Sequence, residues 1–531
     1  MRLGSSTPAD DVTRRQSVIM LVVLVGLGLA LRSVAIGRES LWSDEALTAV
    51  LVHYPWWSFP FTSVDSSPPL FYWLEKALVP EGASPATWRM VSLVAGVATV
   101  PLTYWLGREL KSRGAGLVAA GLVAVSAPLV DYSQEARAYA LAVGLIAGSA
   151  ASLAALTGGR LAGEGRTRER RLMLAIFATF TTLAIFTHFI ALLWVLAALV
   201  IMRLAADGER RQVDPREMLA TILVVVPFLA IELRRLVLYR SEQDGFSWLS
   251  QMSPAKMLHV LGEQWLPFAK AAGWPVMLVG AGLVLALLWS ARGGLFGWAR
   301  SRPLQLLIVA ALLLEPLGLW LIGQVAAPVA MARTFLPASI GFAALVGVAV
   351  ASLNRTSLIA IGTAIIGVSL VSTLIAGTTR HKEQWAGASA ATGDAPLVIT
   401  CANWKTPSFL AQTKANGWVV TSSGNKALIV RQPGDTASWD RLYFERVQRY
   451  AHYPLRRDRP LRLERQPITA KRLLFVASEC SAIERRAFAK WADLRGSRLL
   501  WSSPRVAGAA DITVEEWRLG GAAPLDLWIV R

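Results

Sequence analysis

Residues Ala138–Ala155 read AYALAVGLIAGSAASLAA, eighteen positions without a charge. A run of this length and polarity approaches the roughly 20 residues needed to cross the hydrocarbon core of a bilayer. It is not alone. Ser17–Ile36, Trp88–Gly107 and Ser357–Ala376 have the same character, so a cleaved leader does not explain them, and the first lacks a clear small-residue cleavage site. Of the 531 residues, 54% are hydrophobic and only 17% are charged. Soluble domains carry about a quarter charged residues, so much of this surface is built for lipid.

Eleven spans are expected, near 17–36, 87–107, 114–130, 137–157, 172–187, 189–204, 217–236, 272–291, 304–324, 331–351 and 356–376. The net charge is +18. Such a value suggests nucleic-acid binding in a soluble chain, but here the basic residues lie in short connections. Arg14 and Arg15, then Arg108, Lys111 and Arg113, then Arg160 to Arg171, then Arg203 to Arg216, then Arg292, Arg300 and Arg302, and finally Arg355 all fall on one side if eleven helices cross. That is the positive-inside pattern, with a cytoplasmic N-terminus in the plasma (inner) membrane and no nucleic-acid partner. Two long loops, 37–86 and 237–271, and everything after 378 are then expected outside. Trp and Tyr in the first loop suit interfacial helices, and Ser253–Trp265 suits an amphipathic helix lying on the membrane. After 378 the chain shows short β-like runs at Leu397–Thr400, Ala427–Val430, Leu473–Val476, Leu499–Ser502 and Leu525–Val530, with a helical stretch at Ile483–Ala492. The expected organisation is therefore an α-helical polytopic membrane domain, 1–377, and a soluble C-terminal α/β domain, 378–531. Cys401 and Cys480 each follow an expected strand. They either pair as a disulfide or stay as two buried thiols.

Chemistry gathers at the outer edge. Trp42, Asp44 and Glu45 follow the first span; adjacent acids there are solvated at a helix start, paired, or metal-bound. Asp65 precedes Pro68 and Pro69, which set the start of another helix. Glu135, Arg137 and Tyr139 sit before the fourth span, His188 between two short helices, and Arg333 before the tenth. Arg234, Arg235 and Arg240 lie outside against the charge bias. A single arginine there snorkels to headgroups and a single histidine packs. A convergent set suits an anionic lipid head, because guanidinium forks match phosphate oxygens.

The ordered motifs resemble the GT-C glycosyltransferases, in the branch of protein O-mannosyltransferases and lipid A aminoarabinose transferases. The resemblance rests on Leu41-Trp42-Ser43-Asp44-Glu45-Ala46, Ser67-Pro68-Pro69-Leu70, Gln134-Glu135-Ala136-Arg137-Ala138-Tyr139, Thr187-His188-Phe189, Arg333 with Leu336-Pro337, and Lys382-Glu383-Gln384-Trp385. It covers about 1–390. The chain departs from that pattern at Ser66 and Ser67, where relatives carry His or a Glu-Lys pair, at Thr334, where Tyr is common, and at Gln384, often Asp. The resemblance implies a GT-C-like fold and transfer of a sugar, with inversion, from a polyprenyl-phosphate donor to a glycan, lipid or protein acceptor. It implies Asp44 as general base, with Glu45 and Glu135 holding it or sharing a divalent metal cation (Asp44 and Glu135 as ligands). Arg137 and Arg333 would bind the donor phosphate, with Tyr139, His188, Asp65, Pro68 and Trp42 around the substrate. A transporter or flippase of lipid-linked sugars, or a non-catalytic relative, are the competing classes. The former would carry internal repeats or broken mid-membrane helices, for which Glu315-Pro316 is the main candidate.

Overall fold

The computed structural model describes residues 12–52, 56, 67–80, 83–158, 161, 166–207, 213–243, 251–266, 269–326 and 328–379, and six strands beyond them. The chain divides into two compact units: 1–34, 59–74 and 89–378 in the first, and 35–58, 75–88 and 379–531 in the second.

The first unit is a helix bundle. Its long helices are α1 (Arg14–Ser33), α5 (Met90–Leu110), α6 (Arg113–Ala124), α7 (Ala127–Ser133), α8 (Tyr139–Thr157), α9 (Thr167–Ile185), α10 (Ala191–Asp207) and α11 (Pro215–Gln243). After them come α12 (Pro254–Trp265), α13 (Ala269–Ser290), α14 (Arg292–Ser301), α15 (Pro303–Val325), a 3-10 turn (Ala332–Phe335), α16 (Leu336–Val350) and α17 (Arg355–Thr379). Shorter helices precede α5: α2 (Ser43–Leu51), α3 (Leu70–Leu78), which crosses from one unit to the other, and α4 (Pro85–Trp88).

Among the described residues, six helices are long and apolar enough to cross a bilayer, and up to eight if each bent pair counts as one span. This is a multi-pass membrane protein. The eleven expected segments are all helical, but they do not all meet that length and polarity. The expected span 114–130 is broken: α6 and α7 meet at 60°, and α13 and α14 at 66°. Pro128 has no N–H to offer the carbonyl of Ala124, which ends α6 there. The expected outer loop 237–271 also starts later, because α11 runs on to Gln243. Nothing between Ile231 and Gln243 breaks a helix, and the first glycine is Gly245.

Burial separates core from lipid-facing helices. The apolar window of α8 is 94% buried, whereas those of α1 and α17 are 22% and 17% buried. The α8 sequence is rich in Ala, Gly and Ser, which lets α5, α9 and α10 approach it closely. At the α5–α6 contact a Cβ on Gly116 would lie 2.5 Å from the carbonyl oxygen of Tyr104, so only glycine fits. Polar groups buried in this core bond to one another: Ser149 and Thr181 share a bond of 2.8 Å, and Trp194 Nε1 donates to Ser149 Oγ at 3.0 Å.

The second unit holds α2, α4 and the strands β1 (Leu397–Thr400), β2 (Trp418–Ser423), β3 (Lys426–Arg431), β4 (Arg472–Ser478), β5 (Arg498–Ser502) and β6 (Ile512–Arg518). They form one sheet in the order β2-β3-β1-β4-β6-β5. β1 and β4 run parallel with Val398 opposite Leu474, and the other pairs are antiparallel. Four of the five strand expectations coincide with β1, β3, β4 and β5. The fifth, 525–530, the helix 483–492 and both cysteines lie outside the described residues.

Candidate functional site

In the first unit, five contacts tie together motifs that are far apart in the chain. The backbone N–H of Leu70, at the end of Ser67-Pro68-Pro69-Leu70, donates to the carbonyl of Phe186 at 2.9 Å. The Trp73 ring packs on Phe186, with centroids 6.1 Å apart. One turn into α3, the Tyr72 hydroxyl accepts from Arg137 Nη1 at 3.4 Å. The Tyr139 ring lies 4.9 Å from the His188 ring. The Arg333 guanidinium sits 5.7 Å from the centre of that same Tyr139 ring, a distance at which a cation is attracted by the ring face.

Local chemistry explains each placement. Pro69 fixes the backbone just before α3, and α3 turns Phe71 and Tyr72 inward, where both are buried. Arg137 lies in the turn before α8. Its backbone N–H is bonded to Glu135 O at 2.7 Å and its carbonyl accepts from Ser92 Oγ at 3.0 Å, so the side chain is launched from a fixed turn. His188 Nδ1 accepts from the Ile190 N–H at 3.2 Å. That bond fixes the ring, which packs in the cluster against Tyr139 and Phe189. Arg333 stands on the 3-10 turn, its Nε against Met331 Sδ at 2.8 Å. Glu135, Arg137, Tyr139 and His188 are all at most 6% exposed, and Arg333 is partly exposed.

A further pair completes this end of the bundle. Arg235 Nη1 donates to Glu232 Oε2 at 3.0 Å, with both side chains buried, and Arg235 Nη2 donates to the carbonyl of Ser67 at 3.0 Å. The arginine was visible in the sequence as a cation against the charge bias. Its partner was not, since Glu232 reads as an ordinary helix residue. Pro68 is buried beside Ser67. Arg240 lies in the last turns of α11, and Asp65 and Lys382–Trp385 lie outside the described residues.

The second unit carries the other acidic motif. Asp44 and Glu45 open α2, where acids face the positive helix end. Glu45 is fully buried and its Oε2 accepts from the Trp42 N–H at 3.2 Å, which closes the first turn. Asp44 is partly exposed, and its carbonyl accepts from Thr48 Oγ1 at 3.3 Å. Trp42 Nε1 is buried without a hydrogen-bond partner. One acid escaped notice in the sequence. Glu75 is fully buried on α3, neither carboxyl oxygen has a hydrogen-bond partner, and burial first, then the charge of Glu45, pushes its pKa up to about 9. Next to it, Lys76 Nζ donates to the Val52 carbonyl at 2.5 Å. Asp44 and Glu135, expected to share a cation, belong to different units. Among the described residues no three His, Cys, Asp or Glu side chains cluster as a metal ligand set.

No family model and no curated protein sequence matches the chain. Solved structures do. The apo crystal structure of ArnT from Cupriavidus metallidurans superposes over 94% of this chain and 98% of its own length, at a TM-score of 0.56 and 12% identity. The chain has the GT-C fold. The same ArnT bound to undecaprenyl phosphate covers 93% of this chain and 97% of its own, at a TM-score of 0.54 and 12% identity. An oligosaccharyltransferase from Archaeoglobus fulgidus matches more distantly, over 72% of this chain and 59% of its own, at a TM-score of 0.45 and 12% identity. The GT-C fold expected from the motifs is thus the fold found. The contacts among residues 67–72, 137–139, 186–188, 235 and 333 lie in its helical part.

Proposed function

We propose that this protein is an integral membrane glycosyltransferase that moves a sugar from a polyprenyl-phosphate donor to a hydroxyl of an envelope glycan, lipid or protein. The observation that carries the reading is the convergence of Arg137, Arg235 and Arg333 with Tyr72, Tyr139 and His188 at one end of a helix bundle whose fold is that of ArnT. Guanidinium forks match phosphate oxygens, and ArnT has been crystallised with undecaprenyl phosphate.

The chemistry follows from what each group offers. The donor phosphate is a weakly basic leaving group, so its departure needs charge neutralisation more than a proton. Arg137 and Arg333 supply that charge, and Arg235 reinforces it while it holds the Ser67 carbonyl. The acceptor hydroxyl is a poor nucleophile until its proton is drawn away. Asp44, partly exposed at the start of α2, takes that proton as the hydroxyl attacks the anomeric carbon from the side opposite the phosphate. The glycosyl–oxygen bond to phosphate breaks, the new bond forms with inversion, and free polyprenyl phosphate leaves. Glu45 stabilises the turn that carries Asp44. Tyr139, His188 and Trp42 shape the space around the sugar. The site faces away from the cytoplasm in this reading, in keeping with the distribution of basic residues between the spans.

Lipid extracts of a strain lacking the protein test the proposal. Accumulation of one polyprenyl-phosphate sugar, and its transfer by membranes that carry the protein, supports it. An unchanged lipid-linked sugar pool together with no transfer from any polyprenyl-phosphate sugar overturns it.

A further inference from the structure

A fourth arginine of the bundle bears no resemblance to the three at the site. Arg32, in the last turn of α1, is fully buried, and its donors meet no carboxylate. Nη1 donates to Ala124 O at 2.9 Å and to Gly28 O at 3.1 Å, Nη2 to Val123 O at 3.0 Å, and Nε to Ser133 Oγ at 3.1 Å. Val123 and Ala124 are the last residues before the 60° break between α6 and α7. Pro128 cannot donate to Ala124 O, so the break leaves carbonyls that need another partner at membrane depth. Arg32 is that partner, and its charge faces the negative end of α6. The planar fork matters: only it reaches two carbonyls of one helix end and the hydroxyl of the next helix together. The neighbouring helix makes room. A Cβ on Gly96 would fall 2.0 Å from Ser133 Oγ and 3.0 Å from Arg32 Nε.

The same joint is tied from the other side. Gln134 Nε2 donates to the carbonyls of Leu31, Arg32 and Val34, which are the open end of α1, at 3.3, 3.1 and 2.8 Å. Residues 133 and 134 are therefore fixed to α1 immediately before the turn that holds Glu135, Arg137 and Tyr139. We propose that Arg32 is a positioning residue: by capping α6 and holding Ser133, it sets the direction from which the Glu135–Tyr139 turn presents Arg137. The role in donor binding rests on the function proposed above. The positioning itself does not.

The test uses the full-length protein in detergent or nanodiscs, as Arg32→Lys and, with the fold less at risk, Ser133→Ala. Hydrogen-exchange mass spectrometry and the affinity for undecaprenyl phosphate are measured on each. Arg32→Lys is expected to raise exchange about tenfold in 125–139 while 142–156 of α8 stays protected, and to weaken undecaprenyl phosphate about tenfold. Ser133→Ala is expected to do the same about threefold. Exchange that is unchanged, or that rises equally in α8, overturns the proposal. So does local loosening with unchanged affinity, since Arg32 would then only stabilise the fold. If the unaltered protein binds no undecaprenyl phosphate, the proposed function fails, and the exchange pattern alone decides whether Arg32 sets the turn.

Discussion

The two ends of the helical unit treat their basic residues in opposite ways. At the end formed by the last turn of α5 and the first of α15, cations sit at the surface and cap helix ends. Arg302 Nη1 donates to the carbonyls of Glu109 and Leu110 at 3.2 and 3.0 Å, Lys111 Nζ meets Ser352 Oγ at 2.6 Å, and Arg108 pairs with Glu109. Arg170 and Arg171 both reach Glu217, from half-buried and exposed positions. At the other end Arg137 and Arg235 are drawn almost entirely inside, against tyrosine, a buried carboxylate and a backbone carbonyl. Surface cations at helix ends contribute little singly and anchor the bundle to headgroups. Burying guanidinium groups costs several kcal/mol each in desolvation, and these two offset it with the Tyr72 hydroxyl, the Glu232 carboxylate and the Ser67 carbonyl.

That contrast can be broken or sharpened by measurement. The largest effect is expected outside the arginines. Asp44→Asn lowers transfer by about 100-fold or more, the scale of a lost general base, with undecaprenyl phosphate affinity unchanged; wild-type rates at normal expression would remove Asp44 from the mechanism. Arg235→Met strands a buried Glu232 and is expected to destabilise by about 3–5 kcal/mol. Adding Glu232→Gln restores most of the stability in denaturation experiments but leaves undecaprenyl phosphate binding weak. Recovery of both would make the pair a packing element and erase the difference between the ends. Arg171→Met, exposed at the surface end, is expected to cost about 0–1 kcal/mol and to leave transfer rates unchanged.

Stability should also depend on pH. Glu75 keeps its proton in the folded protein up to about 9, because of burial and then Glu45, whereas an unfolded chain releases it near the ordinary value of about 4.3. A raised native value means a stabilising contribution that is complete below the unfolded value and is lost as pH rises towards 9. Melting temperature should therefore fall as pH is raised across that window. Glu75→Gln should flatten the slope and melt higher at pH 8. An unaltered slope would mean that Glu75 is ionised in the native state.

Most of the bundle was legible before any coordinates. Runs such as Ala138–Ala155 have one stable solution in lipid, a helix that satisfies its own backbone, and the order of the motifs carried the fold class. The site was legible only in pieces. Arg137, Tyr139, His188 and Arg333 could be named because charged or polar groups at a membrane edge stand out, and the structure brings the last three together through the Tyr139 ring. Glu232 and Glu75 could not, because a glutamate in a helix is the commonest of residues, and only burial marks these two. Arg32 was the lone charge in the first apolar run, but nothing local says that its fork would cap a helix whose sequence begins some eighty residues later.

The amino-acid order by itself determined that this chain lives in a bilayer as helices, since an unbonded backbone polar group is too costly in hydrocarbon to allow another choice. Tertiary structure alone decided where those helices break and which cations go inside. The break at Pro128 is tolerable only because Arg32 arrives from another helix to meet the freed carbonyls. Arg235 turns inward only because Glu232 and the Ser67 carbonyl wait for it there. Such choices depend on groups brought close by folding, and distance in space, which sets the strength of a hydrogen bond or a Coulomb attraction, is not written in the order of residues.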